Sequence, residues 1–105
     1  EFRQPEPGKA LFGFYADTLL GVCVLVRDPY LEHRPEVGRL RHVYVLPEHR
    51  GQGVATALVT AAAQAARPHY RVLRLRTENP DAARLYEALG FAAVTEPAAT
   101  HALAL

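Results

Sequence analysis

A single α/β domain, built on a mixed sheet with two helices, is what this 105-residue sequence predicts. Three observations carry that reading. Two apolar runs stand back to back with only Asp17-Thr18 between them, the pattern of a tight antiparallel hairpin. The hydrophobic period then changes from two to 3.6 after Pro47, and again after Thr77. A strand, a helix and a further strand in the middle of the chain imply a parallel crossover, so the sheet must be mixed.

The elements follow in order. Residues 1–9 hold two prolines and several charges and read as an unstructured lead-in to a domain over residues 10–105. Ala10 to Ala16 and Leu19 to Arg27 are the hairpin strands; Cys23 lies inside the second and reads as an inert core residue. A charged, proline-containing loop over residues 28–38 precedes the strand Arg39 to Leu46, which Pro47 ends. Val54, Leu58, Ala61, Ala62 and Ala65 recur at helical spacing, so Gly53 to Ala66 is a helix, stopped by Arg67-Pro68, whose small alanines let it lie close to a sheet. Arg71 to Thr77 alternates as a strand. Asn79 caps a second helix with Pro80 at its first position and Gly90 just past its end; Ala82, Leu85, Tyr86 and Leu89 form its buried stripe. Phe91 to Val94 and Thr100 to Leu105 are terminal strands, giving β-β-β-α-β-α-β-β.

Composition removes several function classes. Twelve Lys+Arg against eleven Asp+Glu leave a net charge of +1, so charge points to neither nucleic acid nor a membrane surface. No apolar run nears the roughly 20 residues of a bilayer crossing. The single cysteine excludes a disulfide framework and fits a reducing cytoplasm. Five histidines, at 33, 42, 49, 69 and 101, show no ligand spacing, so no metal site is expected. There is no methionine, and Glu1 is too large to follow a routinely removed initiator, so an earlier native start is expected.

The chemistry concentrates at Val43-Tyr44-Val45-Leu46-Pro47-Glu48-His49-Arg50-Gly51-Gln52-Gly53-Val54-Ala55, where a strand enters a turn with two glycines and a helix opens at once. Glycines let a backbone approach a ligand and aim successive N–H groups at it, and a helix N-terminus adds roughly half a positive charge. Such a turn suits a pyrophosphate, although a ligand-free connection has the same spelling. A Walker loop would end in Gly-Lys-Ser/Thr, which is missing. A dinucleotide fingerprint would need a third glycine at Thr56 and an acid after the next strand, where Arg74 and Arg76 stand.

The segment Arg50-Gly51-Gln52-Gly53-Val54-Ala55 resembles motif A of the GCN5-related N-acetyltransferases, Gln/Arg-x-x-Gly-x-Gly/Ala, and Val43 to Pro47 resembles the family's V-x-V-x-P lead-in. Asn79 to Phe91 is similar to its motif B, N-x-x-A-x-x-L-Y-x-x-x-G-F. The resemblance covers residues 10–105 and implies acetyl-CoA as cosubstrate, without a metal, and a small-molecule or peptide amine as acceptor. It implies that the N–H groups of Gln52, Gly53, Val54 and Ala55 hold the pyrophosphate, with Arg50 and Gly51 shaping the turn. The edge Val43-Tyr44-Val45 would pair with the pantetheine arm as an added strand, and an N–H near Val45 would polarise the thioester carbonyl. Tyr86 matches the tyrosine that protonates the departing thiolate. Asn79 would contact the pantetheine amides or serve only as a cap.

The family's general base has no counterpart: the corresponding stretches read Gly38-Arg39-Leu40-Arg41 and Arg74-Leu75-Arg76. His42, Glu48 and Glu78 are the nearby titratable groups, and none is assigned. Arg39 and Arg41, and Arg74 and Arg76, share strand faces and read as solvated edges or as a site for the adenosine 3′-phosphate or an acidic acceptor. The strand and helices with which family members usually begin do not precede the first hairpin here, so one wall of the acceptor pocket would be absent, or would come from a further domain or a homodimer partner. A CoA-binding module without catalysis is the competing reading.

Overall fold

In the computed structural model, residues 9–105 are described. The expected lead-in therefore lies, apart from Lys9, outside the described residues. The strands are β1 (Ala10–Ala16), β2 (Thr18–Arg27), β3 (Val37–Val45), β4 (Val72–Leu75), β5 (Ala92–Glu96) and β6 (Ala99–Ala104). Helix α1 (Val54–Ala66) follows β3, and α2 (Pro80–Ala88) follows β4. The strands form one sheet in the order β1-β2-β3-β4-β6-β5, antiparallel throughout except for the parallel pair β3–β4.

The hairpin forms where the sequence places it, with Asp17 alone at its tip in the left-handed region (φ 68). The strand β3 begins two residues earlier than expected. Asp28 N–H closes the preceding loop on the carbonyl of Val37, and the carbonyl of Glu36 accepts from Arg71 and Val72. The strand β4 ends earlier, at Leu75, because the neighbouring strand has already turned away; Thr77 N–H bonds the Thr100 hydroxyl instead.

Helix α1 lies across β1, β2 and β3. Its buried face is Val54, Leu58, Val59, Ala62, Ala63 and Ala66, so the stripe is rotated from the expected one: Ala61 is exposed and Ala65 half-buried. Together with Cys23, Leu25, Leu40, Leu73, Leu75, Tyr86 and Phe91, these side chains make one core. The helix α2 starts as its sequence dictates, with Asn79 Oδ1 accepting from the N–H groups of Asp81 (2.8 Å) and Ala82 (3.3 Å) and Pro80 in first place. Of its expected stripe Tyr86 is fully buried, while Ala82, Leu85 and Leu89 are half-buried.

Leu73 is 0% exposed in the centre of the sheet, whereas Leu11 on β1 is 73% exposed. Leu73→Ala is expected to cost about 2–5 kcal/mol and Leu11→Ala within about 0.5 kcal/mol of nothing, as urea denaturation of the two variants would measure.

Candidate active site

The glycine turn is assembled from backbone requirements. Pro47 has no N–H to continue the ladder, and a 3-10 turn (Pro47–His49) follows, held by His49 N–H on Leu46 O and Arg50 N–H on Pro47 O. Gly51 and Gly53 then take φ values of +78 and +83. A Cβ at either would meet open space, so conformation rather than crowding selects glycine there. The result is a helix that opens abruptly at Val54. No side chain caps α1 and no acidic residue stands in its first turn, so its first N–H groups have no intrahelical partner. Arg50 Nε donates to Val45 O at 2.9 Å and its guanidinium lies 5.5 Å over the Tyr44 ring, which fastens the turn to the end of β3. These residues border a hollow of about 410 Å³, lined by Val45, Arg50, Gly51, Gly53, Val54 and Ala55, with Asp81 and Leu85 of α2 opposite. Gln52 is exposed; its side-chain oxygen meets His49 Nδ1 at 3.3 Å.

A second hollow opens beside it, where β3 and β4 part. Their ladder consists of Val37↔Val72, Gly38↔Leu73 and Arg39↔Arg74 and then stops, although β3 runs on to Val45. Two features turn the rest of β3 toward the gap. A bulge sets His42 and Val43 opposite Cys23 alone, with His42 at φ 55. Beyond it, Leu46 N–H bonds Leu20 O, so by the alternation of an antiparallel ladder Val45, opposite Gly21, directs its own N–H and C=O away from β2. Tyr44, opposite Val22, is the member that engages β2, and its ring lies under Arg50. The cleft of about 330 Å³ is walled by Leu40 to Val43 on one side, Leu75 to Thr77 on the other, and Asn79, Ala82 and Tyr86 from α2. Helix α2 thus lines both hollows.

Tyr86 is buried against Phe91 (ring centroids 5.6 Å apart, edge-on) and His101 (6.3 Å). Burial pushes its phenol pKa up, and the nearby Cys23 pushes the same way. Burial also raises the Cys23 thiol to about 11, and its S–H points to Leu58 O at 3.7 Å, in keeping with an inert core cysteine. Asn79 both caps α2 and borders the cleft.

Of His42, Glu48 and Glu78, only His42 lines the cleft. Glu48 is exposed on the 3-10 turn, and Glu78 is held by Arg76 (Nη2–Oε1 2.9 Å) away from it. Arg41 and Arg76 do border the cleft. Arg39 and Arg74 correct the sequence reading: they are neither solvated nor open to a phosphate, but buried against Asp28. Sequence reasoning missed Asp28, since a lone acid in a loop carries no signal for partners 11 and 46 residues away. It also missed the buried His101, whose Nε2 meets Glu87 at 2.9 Å. Among the described residues no helix is long and apolar enough to cross a membrane, and no three His, Cys, Asp or Glu side chains group as metal ligands would.

Comparison with known proteins bears on the family and the fold. The model of the acetyltransferase (GNAT) family matches residues 1–91. No curated protein matches the chain. Among solved structures, a candidate acetyltransferase from Exiguobacterium sp. 255-15 is 34% identical with a TM-score of 0.84, over 94% of this chain and 64% of that one. A GCN5-related N-acetyltransferase from Kribbella flavida shares 22% identity and a TM-score of 0.74, over 95% and 68%. A protein of Mycobacterium tuberculosis solved in complex with CoA and NLQ shares 19% and a TM-score of 0.67, over 81% and 49%. The last two are likenesses of fold. This chain spans 64% of the length of the first.

Gly53→Ala places a Cβ on a left-handed residue without a clash, so it is expected to destabilise by about 1–2 kcal/mol. Urea titration against Gln52→Ala, expected near neutral at an exposed turn position, would measure it.

Proposed function

The chain belongs to the acetyltransferase (GNAT) family, and on that premise we propose that it moves an acetyl group from acetyl-CoA to a primary amine by direct attack. The observation that carries the reading is the fork: one strand edge, one uncapped helix N-terminus and one buried tyrosine border two adjoining hollows. Each matches one part of the cosubstrate. The N–H groups of Gln52, Gly53, Val54 and Ala55 take the pyrophosphate, assisted by the helix dipole and by the absence of acid in the first turn. Arg50 and Gly51 hold the turn in shape. The pantetheine arm pairs with the open side of Val43 and Val45, and Asn79, its oxygen committed to the cap, has its amide N–H₂ left for the arm. The N–H of Val45 meets the thioester carbonyl and stabilises the oxyanion formed when the amine adds.

Collapse of that intermediate expels the CoA thiolate, and Tyr86 donates its proton to it. A phenol with an ordinary pKa of about 10 is protonated at neutral pH, and burial strengthens that state. The acceptor nitrogen loses its proton to water or to His42. One observation favours the non-catalytic alternative: no carboxylate is among the residues walling the cleft. CoA release measured over a panel of small amines, aminoglycosides, polyamines and peptide N-termini separates the two, because a binding module releases none.

Acetyl-CoA at about 100 times its dissociation constant is expected to stabilise the fold by roughly 2.7 kcal/mol. Thermal unfolding with and without acetyl-CoA measures it, and no shift would sink the proposal. Tyr86→Phe is expected to lower kcat by about 10²–10⁴-fold while leaving CoA binding nearly intact. Since burial raises the phenol pKa, the acid form persists to higher pH than for a free tyrosine. The kcat profile is therefore expected to show no alkaline fall caused by Tyr86 below about pH 10.

A further inference from the structure

Among the described residues, three buried charged side chains meet at the vertex of the fork. Arg39 and Arg74 oppose each other in the last paired register of β3 and β4, and are 6% and 5% exposed. Like charges opposed across a ladder repel. Here Asp28, 0% exposed, stands between them. Its Oδ2 lies 3.0 Å from Arg74 Nε, an ion-pair contact rather than an aligned hydrogen bond, and 3.5 Å from Arg39 Nη1. Its Oδ1 accepts the Tyr30 N–H at 2.9 Å.

The remaining guanidinium N–H groups reach the turn between β5 and β6. Arg39 Nη2 donates to Ala98 O at 2.6 Å; Arg74 Nη1 and Nη2 donate to Glu96 (3.0 Å) and Pro97 O (3.1 Å). Four segments are thus pinned where strand pairing ends: the 28–36 loop, β3, β4 and the β5–β6 turn. One step further would pair Leu40 with Leu75, two buried apolar residues that hydrophobic burial alone would bring together. The ladder nonetheless stops at the pair whose guanidiniums are anchored.

We infer that Asp28, Arg39 and Arg74 act together as positioning residues that set where the fork opens and hence how the acetyl-CoA arm seats along β3. This rests on the acetyltransferase reading for the arm, though not for the fork itself. Buried ion clusters can be replaced by packed apolar side chains with little or no loss of stability, which allows stability and position to be separated.

The test compares the full chain with Asp28→Asn and with the triple variant Asp28→Leu/Arg39→Met/Arg74→Met. Its readouts are thermal stability, KM for acetyl-CoA, kcat, and amide hydrogen exchange over residues 40–43 and 75–77. Asp28→Asn is expected to lower the melting temperature, and the triple variant to regain most of it. The triple variant is nonetheless expected to raise KM about tenfold with kcat little changed, a loss of binding rather than of chemistry, and to slow exchange at Arg76, whose N–H a longer ladder would bond to Leu40 O. A triple variant that regains stability with wild-type KM and exchange overturns the inference. Should it not fold, exchange in Asp28→Asn decides: altered protection at Arg76 supports the inference, and wild-type protection there overturns it. Wild-type protein that fails to bind acetyl-CoA defeats the acetyltransferase reading, and the exchange arm still decides the fork.

Discussion

The structure turns on one buried carboxylate. Asp28, itself fully buried, compensates the charge of two arginines that the sheet sets face to face. Burying charges is costly, and removing one member of such a group typically costs about 3–5 kcal/mol because the others are left uncompensated. With Glu96 on Arg74, two positive and two negative side chains balance locally. The cluster is long-range in sequence. It can form only once the loop, both inner strands and the β5–β6 turn have come together, and so it couples the two halves of the sheet.

Everything at the candidate site follows from the ladder stopping where it does. Were β3 and β4 paired along their length, Val43 and Val45 would spend their N–H groups on β4. Because they part, a parallel edge lies open in the middle of a sheet rather than at its rim, floored by the core residues Leu40 and Leu75 and faced by α2. The glycine turn then delivers α1 at the end of that edge, with its first amides unpaired. An extended polar arm ending in a pyrophosphate has the shape and charge to satisfy an open edge followed by a helix N-terminus. Rigid floor and open edge are thus built by different means: packing makes the one, interrupted pairing the other.

Local chemistry was legible in the sequence and long-range chemistry was not. Asn79-Pro80 announces a helix start because cap and first-turn preferences act over three or four residues, and it folds as spelled. Gly51 and Gly53 announce a turn because only their own φ angles matter. The hairpin at Asp17 is equally local. The arginines could not be read in this way. Alternation shows that Arg39 and Arg41 share a face, yet one is buried and the other exposed, and the difference is made by a loop acid and a turn distant in sequence. The face of α1 was misjudged for a related reason: among nearly uniform alanines the period is visible but its phase is not, and Val59 and Ala63 rather than Ala61 meet the sheet. The bulge at His42 left no sequence signal, since a histidine at positive φ is tolerated rather than preferred.

The two halves of the proposed reaction differ in what they ask of a sequence. Holding the cosubstrate is a task for main-chain groups: amides of the turn, one edge of β3, a helix dipole. Side chains there need only stay out of the way or shape the backbone, as glycine and Arg50 do, so a short spelling suffices to reveal the site. Choosing an amine is a task for side chains around the mouth of the fork. Arg41, His42 and Arg76 stand there, Arg76 paired with Glu78, and no carboxylate is among the residues that wall the cleft. On the proposed reading, a cationic acceptor would thus gain little from this rim. On that reading the fork's residues are matched to the acyl donor, and the charge of an amine acceptor finds no counterpart among the residues that wall the cleft.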